Sequence, residues 1–90
     1  MTDSKKREME KLYQTITAIS NSQDCAQFFE DLCTYKEIES MAQRLHAAEL
    51  LMEGETYEQI IEKTGISSAT LSRVSKCVKY GNGYKTQLNK

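Results

Sequence analysis

An all-α fold is what this 90-residue sequence predicts, and three observations predict it. Apolar residues recur at spacings of three and four along the chain, no stretch shows β-branched alternation, and there is no proline to interrupt a helix. One domain is the natural count at this length. A chain of this size buries only a modest core, so size alone leaves room for a partner subunit.

Met9, Leu12, Tyr13, Ile16 and Ile19 define a first amphipathic helix over roughly residues 5–20. Ser20-Asn21-Ser22 breaks it, and Asp24 is placed to cap a short helix carrying Cys25, Phe28, Phe29 and Leu32. Thr34-Tyr35-Lys36-Glu37 has the spacing of a capping box. The longest helix, about 35–53, follows with Ile38, Met41, Leu45, Ala48 and Met52, and Ala42 and Leu51 widen its stripe. Gly54 ends it by accepting the left-handed conformation.

Thr56-Tyr57-Glu58-Gln59 opens the next helix with a second box, and that helix passes through Ile60 and Ile61 to end near Thr64-Gly65. Ser67 caps a further helix containing Leu71, Val74 and Val78. Tyr80-Gly81-Asn82-Gly83-Tyr84 predicts a turn with three residues able to take positive φ, and the last residues one frayed helical turn or none. Tyr80 and Tyr84 are expected to pack under that turn, the alternative being to stack on sugar-phosphate, and Cys25 and Cys33 to sit in the core as small hydrophobes.

Composition excludes several classes. The longest apolar runs, such as Leu50-Leu51-Met52, are far too short to span a bilayer. The N-terminus is polar and lacks the apolar stretch of a signal peptide. Cys25, Cys33 and Cys77 make an odd count without a CxxC pair, which disfavours a disulfide framework and fits reduced thiols in a cytoplasmic protein. One His and three scattered Cys do not make a zinc set. Cys33 and His46 could be imagined as nucleophile and base, but no catalytic signature surrounds either, so no enzyme is expected.

A net charge of −1 hides an asymmetry. Residues 1–64 hold 7 Lys/Arg against 13 Asp/Glu, whereas residues 65–90 hold Arg73, Lys76, Lys79, Lys85 and Lys90 and no acid. A near-neutral chain can therefore present one strongly cationic face, an electrostatic footprint for a polyanion. The alternative is a solvated basic tail.

Residues 57–76 have the pattern of a helix-turn-helix. Ile60 points between the helices, Gly65 permits a tight positive-φ turn, Ile66 plugs it, and Leu71 and Val74 lie three apart on the buried side of the second helix. The other side shows Ser68, Ala69, Ser72 and Arg73, which are short except for the arginine. A helix entering the ~12 Å major groove needs such a slim leading face. Ser and Thr hydroxyls can bond base edges or phosphates, while Ala69 and the Thr70 methyl can touch thymine methyls. The free N–H groups at the Ser67 end favour a phosphate, and Arg73, Lys76 and Lys79 form one positive ridge. Ile61 stands where such motifs usually hold a small residue, which implies slightly wider packing. An ordinary helical hairpin with a glycine turn would share the apolar pattern but not the acid-free second helix.

Leu45 to Lys79, with the phrase Ala69-Thr70-Leu71-Ser72-Arg73, resembles the tryptophan repressor family. The ending Ser-Arg-Val-Ser-Lys-Cys-Val-Lys-Tyr-Gly-Asn-Gly-Tyr is similar to the YerC/YecD-type branch, and the resemblance covers roughly residues 7–80. It implies an all-helical, intertwined homodimer from which two helix-turn-helix heads project. On that pattern residues 5–53 are dimerisation helices, 56–78 the helix-turn-helix, and 79–90 a C-terminal turn and tail. It also implies double-stranded DNA as partner, and an amino-acid-like corepressor. Thr34, Arg44 and Arg73 match the family's ligand-holding positions. Val74 stands where those repressors have glycine, and Cys77 replaces a serine facing the ligand's amino group. The first adds bulk inside the slot and the second is a poor hydrogen-bond partner, which disfavours L-tryptophan itself.

Two functions follow from different classes. The leading one is a dimeric, sequence-specific DNA-binding transcription regulator, a repressor, contacting DNA through Ser67, Ser68, Ala69, Thr70, Ser72, Arg73, Lys76 and Lys79. The other is a helical protein-interaction adaptor that reuses the same fold.

Overall fold

The computed structural model describes residues 2–89 and divides into two compact units, residues 1–35 and 36–90. The described residues form six α-helices and no strand: α1 Asp3–Thr17, α2 Ser22–Leu32, α3 Tyr35–Met52, α4 Tyr57–Thr64, α5 Ser68–Tyr80 and α6 Gly83–Leu88.

In the first unit, the Thr2 hydroxyl accepts the Lys5 N–H at 3.3 Å and starts α1. The helix ends at Thr17, three residues before the expected limit, because the Ile19 N–H turns back to the Ile16 carbonyl at 3.1 Å and tightens the last turn. Asn21, not Asp24, caps α2. Its backbone is extended (φ −147°, ψ 160°), so its Oδ1 accepts the Asp24 N–H at 2.8 Å while its Nδ2 donates to the Asp24 carboxylate at 2.9 Å. Asp24 thus lies in the first turn, where its negative charge suits the helix dipole.

Phe28 and Phe29 meet edge-on with ring centroids 6.2 Å apart. No residue of α1 or α2 is fully buried, and Tyr13 and Leu32 are half exposed. Cys25 and Cys33, expected in the core, are only half-buried because this unit encloses no interior.

The second unit holds the core. Gly54 (φ +90°) stops α3: its N–H bonds the Leu51 carbonyl at 3.0 Å, and the Glu55 N–H bonds the Leu50 carbonyl at 3.1 Å. That pair of bonds is a Schellman motif, which satisfies two orphan carbonyls. α4 begins with the reciprocal box, in which the Gln59 N–H donates to Thr56 Oγ1 at 3.2 Å and the Thr56 N–H to Gln59 Oε1 at 2.9 Å. Ala47, Ala48, Leu50, Ile60, Ile66, Leu71 and Val74 are buried together, with Leu51, Ile61, Val78, Tyr84 and Leu88 packed on the outside. Ile61 is only partly buried, at the edge of this cluster. Leu45, expected on the core stripe, is 45% exposed.

The C-terminal segment differs from expectation in three ways. α5 continues to Tyr80, two residues into the segment expected as turn and tail. The turn contains no positive φ: Gly81 is extended at φ −91° and Asn82 lies at φ −115°. Glycine is needed at 81 for space, since a Cβ there would come 2.7 Å from the Cys77 carbonyl oxygen. The last residues then form α6 rather than a frayed end, because Tyr84 and Leu88 find the core and give the helix a face to bury.

Candidate nucleic-acid interface

α4 and α5 are held at their turn by both backbone and side chains. Gly65 adopts φ +73° and its N–H bonds the Ile61 carbonyl at 2.8 Å. Ile60 and Leu71 have no exposed surface and Ile66 only 2%, so the three fill the space between the helices as the spacing predicts. From α3, the Gln43 amide donates to the Thr64 carbonyl at 3.0 Å. The Ser67 hydroxyl accepts the Thr70 N–H at 3.2 Å and opens α5.

Helix geometry then sorts the residues of α5. Leu71 and Val74 turn inward and are buried. At about 100° per residue, Ala69, Arg73, Lys76 and Tyr80 share one line, and Ser68, Ser72 and Lys79 an adjacent one. Ser67, Ser68, Ala69, Ser72, Arg73, Lys76 and Lys79 are all exposed. Thr70 is half-buried, and its hydroxyl is engaged with Ser67 Oγ at 2.9 Å in the cap.

The face is electrostatically uncompensated. α5 contains no acid, and among the described residues no ion pair engages Arg73, Lys76 or Lys79. Lys63, by contrast, pairs with Glu55. A slim surface of hydroxyls and a methyl, bordered by free cations, has the chemistry to meet a phosphate backbone and base edges.

Tyr80 was expected to pack and is instead 84% exposed. The signal was in the sequence: it lies four residues beyond Lys76 and seven beyond Arg73, on the exposed line of α5. Tyr84 does pack against the core, since α6 carries it there.

Of the residues matched to a ligand site, Arg44 is half-buried on α3 and Arg73 is exposed on α5. Thr34 is exposed and belongs to the first unit. Val74 is only 2% exposed, buried as its place on the inner side of α5 predicts. Cys77 lines an apolar groove of about 510 Å³ together with Leu45, Gly81, Tyr84 and Leu88. Among the described residues, no group of three or more His, Cys, Asp or Glu could hold a metal ion, and no helix is long and apolar enough to cross a membrane.

A helical chain whose α4–turn–α5 unit buries one side and exposes a slim cationic other side is a helix-turn-helix protein. Known proteins specify the family. The family profile described as Trp repressor protein matches residues 7–90. The YerC protein of Bacillus subtilis (strain 168), described as uncharacterized, is 47% identical over 76 residues, which is 84% of this chain and 73% of that protein. The crystal structure of a TrpR-like protein from Eubacterium eligens ATCC 27750 superposes with a TM-score of 0.88 at 43% identity, covering 92% of this chain and 87% of that one. A crystal structure from Staphylococcus aureus, likewise described in Trp repressor terms, also gives 0.88, at 36% identity over 99% and 93% of the two chains. The chain belongs to the Trp repressor family, a family of regulators rather than enzymes.

Proposed function

We propose that this protein is a sequence-specific DNA-binding transcription regulator that acts as a homodimer and represses. The observation that carries the reading is the exposed, acid-free face of α5, where Arg73, Lys76 and Lys79 border Ser68, Ala69 and Ser72. The cations supply the salt-dependent part of the affinity, and the short side chains, with Ser67 and Thr70 at the helix start, supply sequence choice. Family membership supports the same reading. Apolar residues left exposed on the single chain, including Met9, Tyr13 and Leu32, support a second copy covering them. Two α5 helices would then enter successive major grooves about 34 Å apart on a pseudo-palindrome.

The test is selection of bound duplexes from random DNA, followed by titration of the winners at two salt concentrations. A pseudo-palindromic winner whose affinity falls steeply with salt supports the reading. Binding that ignores added salt, or no enriched sequence, overturns it in favour of a protein-interaction adaptor. Repeating the selection with added amino acids reads out an effector acting through Thr34, Arg44 and Arg73.

A further inference from the structure

Thr64 is the last residue of α4, so its carbonyl is one of the four at that end without a partner inside the helix. The Thr64 side chain is occupied locally. Its hydroxyl donates to the Ile60 carbonyl at 2.7 Å and accepts the Ile66 N–H at 3.2 Å, which ties both sides of the Gly65 turn to one oxygen. The Thr64 carbonyl, however, is met from outside the pair: Gln43 Nε2 on α3 donates to it at 3.0 Å, 21 residues away in sequence. A carbonyl accepts only, so the amide must present its nitrogen and the orientation of Gln43 is fixed.

We infer that Gln43 is a positioning residue for DNA reading: it anchors the turn between α4 and α5 to α3 and so sets the angle at which α5 is presented. The inference rests on the DNA-binding reading above. Ile60, Ile66 and Leu71 hold the two helices together through apolar contact, which is close-packed but not directional. A hydrogen bond to the turn is directional. Both Gln43 and Thr64 are half-buried, so water competes poorly for the carbonyl. A small rotation at the turn is magnified along α5, which at 13 residues is about 20 Å long. Correct sequence choice needs its side chains at fixed places against base edges, whereas non-specific attraction to phosphates tolerates misplacement.

The experiment compares wild type with Gln43→Met, which keeps the length and removes the donor, Gln43→Asn, which is too short to reach, and Gln43→Lys, which restores a donor. Each is titrated with the selected duplex and with a scrambled duplex, far below its melting temperature. The expected result is a fall in the specific-to-scrambled affinity ratio on the order of fivefold in the Met and Asn variants. Scrambled-duplex affinity should stay unchanged in both. The Lys variant should recover the ratio, since its added charge strengthens both duplexes alike. If wild type selects no duplex, the DNA-binding reading itself fails. If wild type discriminates and the Asn and Met variants discriminate equally well, Gln43 does not position the head and the inference falls alone. Should Met not fold, the Asn and Lys pair decides the matter by the same ratio.

Discussion

Lys85 Nζ donates to the backbone carbonyl of Lys79 at 2.8 Å, so a residue of α6 caps the end of α5. The Lys85 ammonium, like Lys79 in the last turn of α5, suits the negative end of the helix dipole. The segment after Tyr80 therefore finishes the helix that carries the cationic face. Replacing Lys85 by Met should destabilise this end by about 0.5 kcal/mol. It should speed amide exchange at Lys79, Tyr80 and Gly81 and leave α4 unaltered. Protection unchanged at those three amides would separate α6 from the stability of α5.

Gly65→Ala isolates the conformational demand of the turn. Gly65 sits at φ +73°, and a Cβ there would meet nothing within 4 Å. The cost is therefore backbone strain alone, about 1–2 kcal/mol in urea denaturation. A neutral substitution would mean that the turn can relax without loss.

Leu71→Ala removes a side chain with no exposed surface from the centre of the cluster. The expected loss is about 2–5 kcal/mol. For a small domain that is a large share of total stability, so the second unit should melt at markedly lower temperature by circular dichroism.

Thr56→Ala deletes one half of the reciprocal box with Gln59. About 1 kcal/mol of stability should go with it. The Gln59 amide, which loses its acceptor, should exchange faster, whereas amides of the Ser67 cap should not.

Lys76→Ala and Ser68→Ala separate the two kinds of contact on α5. The lysine variant should bind all duplexes more weakly and with a shallower salt slope, reduced by roughly one. The serine variant should keep the salt slope and change the order of preferred sites. Identical behaviour of the two in fluorescence anisotropy titrations would deny the division of labour along this face.

Much of the fold was legible in the sequence because it depends on local chemistry. Gly54 and Gly65 mark the two positive-φ stops, Thr56 and Ser67 the caps, and Ile60, Ile66, Leu71 and Val74 the buried positions, because capping and helical period act within a few residues of each other. The exposed line of α5 was legible for the same reason, Tyr80 included once the count is continued past Lys76.

Tertiary structure decided the rest. Gly83, Tyr84 and Thr86 are weak helix formers and six residues are too few to display a helical period, so the segment from Gly83 gave no reliable helical signal; only the core surface that receives Tyr84 and Leu88 makes it a helix. Asp24 was the expected cap of α2, and the extended backbone at Asn21 gave that role to a residue three positions earlier. The bond between Gln43 and Thr64 joins residues 21 apart, and no periodicity records a contact between the middle of one helix and the end of another that only folding brings within 3.0 Å.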